Sequence, residues 1–425
     1  MKKIEKTISQ FNKEGTLGII SSYPAKSGEV ASDNAIERYT HLLTKNLPKN
    51  QKVVVFAEKR NLKNPYKVTK NVLVVPSYEV NSPLFFANLI SQISRFGFIK
   101  NFLIQFEFSI FGGKIVIPQF LLLLLVLKLL GKSVKIMFHQ VVNDINTLSG
   151  HLAISKNGFK ASLFNSFLGL FYSISGSLAD RIFVHDELLK ARVEDFVDSN
   201  KVVIIPHGIN IEKNITKKFT KASKKHFGLD SNTKLIGLFG YCSWYKGTDW
   251  LIENFAKFMK ENPKAKLKLI VAGGQSPTLK GTFAYNKYHK RLMRVIKEAN
   301  GDIIYTGFVP ERDVKKVFAA VDLFIFPYRT KMSASGAFSL CLGFQKPYIV
   351  SRAFASNLTN SEKEGKSFPL SYGSFEKALK TALKQKKSGK MFSNDRSWTS
   401  VAQIYLKESL PAGELTPKLE YAQAS

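Results

Sequence analysis

A lysine in the second half of the chain stands where it could bind phosphate. Residues 240–247 read Gly-Tyr-Cys-Ser-Trp-Tyr-Lys-Gly, and they place Lys246 in a loop that leads into a helix predicted to begin at Thr248. A lysine near a helix N-terminus adds a point charge to backbone amides that already favour anions. A solvated loop lysine is the alternative, so this loop by itself indicates a phosphate site without establishing one.

A second candidate anion site follows a later apolar stretch. Residues 326–337 read Phe-Pro-Tyr-Arg-Thr-Lys-Met-Ser-Ala-Ser-Gly-Ala and precede an apolar helical segment. Small residues let the backbone approach a ligand, and successive N–H groups at a helix start can cradle a diphosphate. Arg329 and Lys331 would add positive charge, and a turn that merely starts a helix is the alternative. The N–H groups of the cradle would be those of Ser335, Gly336 and Ala337.

Two polar residues follow predicted strands in the first half. His139 comes after 134–138, and Glu107 comes after 102–106. The histidine could orient or polarise a sugar hydroxyl, and the glutamate could accept a hydrogen bond from an acceptor hydroxyl. A structural histidine and a charge at a helix N-terminus are the alternatives. Asp180 is expected to be a structural cap.

These residues need elements that bring them together. Short apolar runs alternate with segments of helical length, which favours parallel, doubly wound α/β sheets. In such sheets ligands bind beyond the carboxyl ends of the strands. The strands are predicted at 17–22, 52–56, 72–75, 102–106, 134–138, 181–184, 202–205, 235–239, 267–272, 303–305, 323–326 and 348–350. The helices are predicted at 33–47, 84–96, 159–178, 248–261, 287–299, 311–320 and from 397 onward.

The alternation pauses once, in the lysine-rich stretch 212–225, where no apolar period is visible. A length of 425 residues also exceeds what one hydrophobic core usually serves. We therefore predict two Rossmann-like domains, 1–211 and 212–390, and a closing segment, 391–425, that contains one more amphipathic helix.

The composition restricts the binding partners and the cellular compartment that we expect for this chain. Sixty-three Lys and Arg against 32 Asp and Glu give a net charge of +31, which attracts polyanions such as nucleic acid, an anionic membrane face or phosphorylated substrates. Nucleic acid is disfavoured, because no reader motif or basic patch interleaved with aromatics is found. Cys242 and Cys341 cannot form a disulfide framework, and the polar N-terminus does not resemble a signal peptide, so a cytoplasmic address is expected.

Two apolar segments are candidates for the core or for a membrane interface. The run from Phe120 to Leu130 contains Lys128 and is well short of the roughly 20 residues that cross a bilayer, so a buried or interfacial helix is expected. The stretch 159–178 predicts either an interfacial helix or a core helix with solvated lysines. Its lysines and apolar residues are Lys156, Lys160, Phe159, Leu163, Phe164, Phe167 and Phe171.

The order and spacing of several short motifs are more specific than any one of them. They are Ser22-Tyr23-Pro24 with Gly28, Gln105-Phe106-Glu107, Phe138-His139, Asp180 to His185, Ile205 to Ile209, Gly240 with Lys246-Gly247, Val271 to Gly274, Gly307 to Pro310, Ser335 to Pro347, and Ser397-Trp398. In this order they resemble the retaining glycosyltransferases of the GT-B fold, a group that includes bacterial phosphatidylinositol mannosyltransferases and glycogen and sucrose synthases.

The resemblance implies two domains facing each other across a cleft, with the closing helix of 391–425 packing back on the first domain. The first domain would bind the acceptor and the second the nucleotide sugar, such as a UDP- or GDP-sugar. His139 would contact the transferred sugar, and Lys246 would neutralise the diphosphate leaving group. Glu107 and Tyr23 would bind the acceptor. The donor-binding residues would be Gly28, Gly240, Tyr241, Lys246, Gly273, Phe308, Val309, Arg329, Ser335, Gly336 and Ala337.

The chain also departs from this family. An arginine usually follows the glycine that corresponds to Gly240, whereas Tyr241 and Cys242 stand here. Two glutamates are commonly present at the positions that fall near Ser333 and Cys341, and neither is present. Nucleotide contacts must therefore differ, and Arg329 or Lys331 is expected to replace the missing arginine.

The expected activity is transfer of a hexosyl group to a hydroxyl of a glycan or lipid-linked acceptor, with retention, in polysaccharide or glycolipid synthesis. No cofactor is expected, and no metal, because the sequence contains no Asp-x-Asp triplet. Peripheral contact with the inner face of an anionic membrane is a further hypothesis. The alternative is a catalytically inactive protein of the same fold that binds another transferase.

Overall fold

The computed structural model describes residues 2–24, 35–60, 62–113, 115–148, 158–212, 215–277, 279–299, 301–331, 334–358, 367–385 and 396–411. The chain forms two compact units. The first comprises Met1–Asn143, Ser166–His207 and Ser397–Ser425, and the second comprises Asp144–Asn165 and Gly208–Arg396.

The first unit is built on an eight-stranded sheet. Its strand order is β3-β4-β2-β1-β5-β6-β7-β8, and every neighbouring pair is parallel except β3 and β4. The central strands β1 and β5 are buried along their whole length, as expected for a parallel sheet covered on both faces. The strands are β1 Leu17–Ile20, β2 Val53–Glu58, β3 Tyr66–Lys67, β4 Val72–Tyr78, β5 Asn101–Phe106, β6 Ser133–Phe138, β7 Arg181–Val184 and β8 Val202–Ile204.

Helices cover this sheet. The helices of this unit are α1 Lys2–Phe11, α2 Ala35–Asn46, α3 Phe85–Ile93, α4 Phe108–Phe111, α5 Val116–Leu129 and α7 Glu187–Glu194. Helix α6 (Phe159–Leu178) begins in the second unit and belongs to the first unit from Ser166 onward. Among the helices of the described ranges, none combines the length and the apolar character needed to cross a membrane.

The second unit has a six-stranded sheet of order β11-β10-β9-β12-β13-β14, parallel throughout. Its strands are β9 Lys234–Phe239, β10 Leu267–Ala272, β11 Ile303–Tyr305, β12 Leu323–Phe326, β13 Tyr348–Ser351 and β14 Ser367–Phe368. Its helices are α8 Lys217–His226, α9 Thr248–Glu261, α10 Phe283–Glu298, α11 Glu311–Ala320, α12 Gly336–Gly343 and α13 Tyr372–Lys384.

The last helix, α14 (Trp398–Ser409), belongs to the first unit. It packs on α2, where the Tyr39 and Tyr405 hydroxyls lie 3.0 Å apart and the rings of Tyr39 and Trp398 meet edge to face. Trp398 and Tyr405 are buried in the same core cluster as strand β1. The closing helix therefore packs on the first unit.

The lysine-rich pause in the sequence contains a helix that periodicity did not reveal. Helix α8 begins after Thr216, whose side chain accepts a hydrogen bond from the backbone N–H of Phe219. Lys224 is buried and donates to Asp322 at 2.8 Å and to the Thr233 carbonyl. The buried position of this helix is thus occupied by a lysine whose ammonium group is hydrogen-bonded. A search for hydrophobic periodicity needs an apolar residue there, so it misses the helix.

Candidate functional site

The loop after β9 is held in a conformation that requires glycine at both ends. Gly240 has φ 106° and Gly247 has φ 70°. A β-carbon at Gly247 would lie 2.1 Å from the carbonyl oxygen of Pro327, so no larger residue fits there without movement. The short 3₁₀ turn Trp244–Lys246 lies between them and leads directly into α9.

Lys246 and the start of helix α12 converge on Gly240. A β-carbon built on Gly240 would lie 3.2 Å from Lys246 Nζ and 3.7 Å from Ala337 Cβ. Because Lys246 Nζ and Ala337 Cβ are both close to this one β-carbon position, the ammonium group and the first turn of α12 lie on the same side of Gly240. The two loops that the sequence singled out are therefore brought together in the second unit.

The N-terminus of α12 is open to a ligand. Ser335 caps it by accepting a hydrogen bond from the N–H of Phe338. Gly336 is exposed, and no atom of the described residues would lie within 4 Å of a β-carbon built on it. The first amides of a helix have no partner within it, and they carry the positive end of its dipole. The first turn of α12 thus lies near Lys246, and among the described residues there is room beside Gly336.

Tyr328 links the lysine to this cap. Its hydroxyl lies 3.1 Å from Ser335 Oγ, and its ring is buried. Burial raises the pKa of Tyr328, and the nearby Lys246 ammonium opposes the rise. Sequence reasoning assigned Tyr328 no role, because its partners lie on two separate loops.

The loops after β9, β10 and β11 are in close contact. A β-carbon on Gly273 would lie 2.0 Å from the Gly240 carbonyl oxygen, and one on Gly274 would lie 2.8 Å from the backbone nitrogen of Phe308. The Tyr241 and Phe308 rings are nearly parallel, at 18°, with centroids 6.3 Å apart. Phe308 is 60% exposed, so its ring is accessible from outside the unit beside the loop that carries Gly240.

Val309 and Cys242 are turned into the protein. Val309 packs against the apolar cluster beneath β12. Cys242 is buried, its thiol lies 3.3 Å from the Gly273 carbonyl, and burial raises its pKa to about 12. The thiol therefore stays protonated and uncharged.

Arg329 forms an ion pair with Asp249, a partner that the sequence did not suggest. Its guanidinium donates to both carboxylate oxygens of Asp249, at 2.7 and 3.0 Å, and to the Trp244 carbonyl at 2.7 Å. It also lies 5.2 Å from the centre of the Trp244 ring. Asp249 is 1% exposed, so the pair fixes the loop before α9 and most of the arginine charge is balanced there. Lys331 is also buried.

In the first unit, His139 belongs to a buried relay. His185 Nδ1 lies 3.0 Å from the Ile205 carbonyl and must donate to it, which leaves its Nε2 to accept from His139 Nδ1 at 3.0 Å. His139 Nε2 lies 2.6 Å from Gln105 Oε1. A neutral His139 that donates through Nδ1 accepts at Nε2, so this tautomer requires the Gln105 amide to be turned with its N–H₂ group towards the ring. Tyr39 packs edge to face on the His139 ring.

Burial lowers the pKa of His139 to about 3, with a smaller contribution from His207, so the ring is neutral near pH 7. Both ring nitrogens are used within the unit and the residue is only 4% exposed. The contact of His139 with a transferred sugar stays a prediction, and the structure shows this histidine hydrogen-bonded within the first unit to residues that its sequence context did not reveal.

The remaining candidates of the first unit lie apart from this relay or outside the described residues. Tyr23 is buried, and its hydroxyl lies 2.9 Å from Thr44 Oγ1. Glu107 is half-buried at the position preceding α4. Gly28 lies outside the described residues. Asp180 has the structural role expected of it, since one carboxylate oxygen accepts from the N–H of Val134.

Comparison with known proteins identifies what this arrangement resembles. Residues 233–385 match the family model described as glycosyl transferases group 1. A D-inositol 3-phosphate glycosyltransferase of Corynebacterium aurimucosum is 23% identical over 114 residues, 26% of this chain and 25% of that protein. A mannosylfructose-phosphate synthase of Agrobacterium fabrum is 27% identical over 106 residues, 25% of this chain and 22% of that protein. Each match thus spans about a quarter of the curated relative.

Solved structures resemble the chain over nearly its whole length. Anabaena Alr3699/HepE in complex with UDP and glucose has a TM-score of 0.62 at 13% identity, covering 92% of this chain and 98% of that one. The trehalose-6-phosphate synthase OtsA has a TM-score of 0.63 at 10% identity, covering 93% and 96%. The sucrose-phosphate synthase of Thermosynechococcus elongatus has a TM-score of 0.62 at 11% identity, covering 93% and 94%. The resemblance expected from the motifs is confirmed.

Proposed function

We propose that this chain, which has the GT-B glycosyltransferase fold, moves a hexosyl group from a nucleoside diphosphate sugar to an acceptor hydroxyl. One observation carries the proposal: Lys246 Nζ and the first turn of α12 lie against the same face of Gly240. An anion placed there would meet a full positive charge and the N–H groups of Gly336 and Ala337 together.

The chemistry requires a place for leaving-group charge. When the bond between the anomeric carbon and the diphosphate oxygen breaks, negative charge grows on the diphosphate. Donors that are already in position stabilise that charge without reorganising, and removal of one such donor typically costs about 10²–10³ in rate. Lys246 and the α12 amides would be these donors. In this proposal transfer retains the anomeric configuration and uses no metal ion, as the resemblance implies.

The nucleobase would lie beside the diphosphate, against Tyr241 and Phe308. A base offers a flat face to aromatic rings, and the exposed Phe308 ring is the one open to such contact. Because Tyr241 stands where the family carries an arginine, this chain would replace one phosphate contact by base contact. Uridine nucleotides are the first to test, since Anabaena HepE was solved with UDP and with UDP-glucose.

For the acceptor we propose a hydroxyl of a glycan or of a lipid-linked glycan, in polysaccharide or glycolipid synthesis at the inner face of the cytoplasmic membrane. The net charge of +31 supports this choice, because each lysine or arginine near an anionic leaflet contributes about 1 kcal/mol.

A panel of nucleoside diphosphates in a thermal-shift titration tests the donor site. At least one diphosphate should raise the melting temperature, because a ligand that binds only the folded form stabilises it. Lys246→Ala should weaken the apparent Kd roughly ten- to hundredfold, the usual worth of a charge-assisted contact. Release of nucleoside diphosphate from the matching sugar donor then reports turnover.

Lys260→Ala is the matched control, because Lys260 is an exposed lysine of helix α9 in the same unit. It should bind the diphosphate like the unchanged protein. The proposal fails if no diphosphate shifts the melting temperature, or if Lys246→Ala and Lys260→Ala bind equally well.

A further inference from the structure

The second unit contains a cavity of about 720 Å³ at the start of helices α9 and α10. Sites that hold small molecules commonly measure about 300–1,000 Å³, so this volume suits a small ligand. The residues that line the cavity include Asp249, Phe283, Lys287, Lys290, Arg291 and Arg294. One acidic side chain thus faces four basic ones.

The four basic residues form a cationic stripe, which we define as Lys287, Lys290, Arg291 and Arg294. They recur at spacings of three and four along α10, so they lie on one face of the helix, within about 10 Å along its axis. All four side chains are exposed. Like charges at these spacings repel one another and destabilise a helix. An anion bound along the stripe would relieve that repulsion.

Asp249, the acidic residue of the lining, is already paired. It is 1% exposed and accepts from the Arg329 guanidinium at 2.7 and 3.0 Å. It also lies 4.0 Å from Arg291, which donates to Glu253 of α9 at 2.8 Å. The carboxylates of α9 therefore hold one arginine of the stripe in place and leave the rest of its charge uncompensated.

The other cations of the stripe are available to a ligand. Within the described ranges, neither Lys287 nor Lys290 forms an ion pair. Arg294 lies 4.0 Å from Glu298, and both side chains of that pair are about two-thirds exposed or more. Exposed pairs of this kind contribute little to stability, so Arg294 can turn towards an anion at small cost.

The cavity lies on the face of the six-stranded sheet opposite to α12. Leu269 of β10 belongs to the core cluster that includes residues of α10, whereas Ile270 belongs to the cluster that includes residues of α12. Neighbouring residues of a strand point to opposite faces of a sheet. Trp244 packs against the first cluster and lines the cavity, whereas Lys246 Nζ lies near the first turn of α12. The cavity is therefore separate from the candidate donor site.

We propose that this cavity binds a small phosphate monoester, with its phosphate on the cationic stripe and a ring-shaped body against Phe283. Such a phosphate carries about 1.5 to 2 negative charges near pH 7 and three acceptor oxygens, which several lysine and arginine donors can share. Phe283 is 83% exposed and precedes Lys287 by one helical turn, so its ring borders the stripe. A nucleic acid fits less well, because four side chains on two turns of a helix offer few phosphate contacts.

Isothermal titration calorimetry with a hexose phosphate tests the site. The full chain should bind it, more weakly as salt rises, and should not bind the unphosphorylated hexose. Lys287→Ala/Lys290→Ala should raise the Kd at least about tenfold, because hydrogen bonds from charged donors are lost. The matched control, Lys218→Ala/Lys221→Ala, removes two exposed lysines at the same spacing from helix α8 and should leave the Kd unchanged.

Equal Kd values for the two double variants would overturn the proposal, and so would failure of the hexose phosphate to bind the unchanged protein. Tighter binding of a single-stranded oligonucleotide through the same lysines would assign the stripe to a polyanion instead. Because all four substituted lysines are exposed, both variants should melt like the unchanged protein in circular dichroism.

Lys246→Ala distinguishes this cavity from the candidate donor site. It should bind the hexose phosphate normally, while Lys287→Ala/Lys290→Ala should bind the nucleoside diphosphate normally. Loss of hexose phosphate binding in Lys246→Ala would place the ester at the donor loops and would refute the second site. The donor-site proposal does not depend on that result, and failure of the donor site leaves the phosphate monoester site standing.

Discussion

At the scale of single residues, neighbours in space decide what a charged or titratable group can do. Lys246 and Arg329 both follow strands of the second unit and look alike in the sequence. Lys246 lies beside the open N-terminus of α12, whereas Arg329 is held by the buried carboxylate of Asp249, 80 residues away. This contrast supports the proposal that Lys246 binds the diphosphate, and it gives Arg329 the role of fixing the loop before α9.

The buried relay makes stability depend on pH in a definite direction. The pKa of His139 is lowered to about 3, while an unfolded histidine titrates near 6.5, so below that pH the unfolded state binds the extra proton. The contribution of neutral His139 to the free energy of unfolding is fully present above about pH 6.5. As the pH falls from there towards 3, the free energy of unfolding decreases by about 1.4 kcal/mol per pH unit.

Urea denaturation between pH 7 and pH 5 measures this effect. The unchanged protein should lose more stability over the interval than His139→Gln, because glutamine keeps a polar side chain and cannot titrate. His41 and His289 also have pKa values lowered by burial and are present in both proteins, so the difference isolates His139. Parallel profiles for the two proteins would contradict a neutral His139.

At the scale of the element, the turn into α9 depends on one glycine. Gly247 combines a left-handed φ of 70° with an approach to the Pro327 carbonyl that leaves no room for a β-carbon. Gly301 has a similar φ of 82° and open space around it. An alanine at either position would have to adopt a left-handed backbone conformation. At Gly247 its β-carbon would also collide with the Pro327 carbonyl oxygen.

Gly247→Ala should therefore destabilise more than Gly301→Ala. We expect about 1–2 kcal/mol for Gly301→Ala, from the left-handed backbone alone, and at least about 1 kcal/mol more for Gly247→Ala. Urea denaturation followed by circular dichroism gives both values. Diphosphate binding should weaken only in Gly247→Ala, since that turn positions Lys246; equal losses of stability would mean that the loop relaxes freely.

At the scale of the whole molecule, the candidate donor residues that the structure brings together all belong to one unit. Hydrogen exchange should therefore show ligand protection in the second unit. A bound nucleoside diphosphate should slow exchange in the loops after β9, β10 and β11 and at the start of α12, because ligand contact excludes water and suppresses local opening. The peptides to follow contain residues 240–247, 273–276, 307–310 and 335–338.

Strands β1 and β5 of the first unit provide the internal reference, since they are fully buried and belong to the other sheet. Their exchange should not change when the diphosphate is added without acceptor. Protection confined to the first unit would place the nucleotide in the other half of the chain and would refute the donor site.

The sequence by itself determined the α/β alternation, the GT-B resemblance and the two loops that meet at Gly240. It could do so because strand, loop and helix follow one another locally, and because parallel strands all present their carboxyl ends at one edge. Helix α8 escaped detection, because its buried position is filled by a paired lysine in place of an apolar residue.

Only the tertiary structure decided which polar groups are free and which apolar ones are covered. The partners of His139 lie 34 and 46 residues away, at Gln105 and His185, and no local pattern links them. Likewise the leucines of α5 are equally apolar in the sequence, yet some face the sheet and others face outward. Periodicity records how side chains alternate along an element, whereas burial depends on which other elements pack against it.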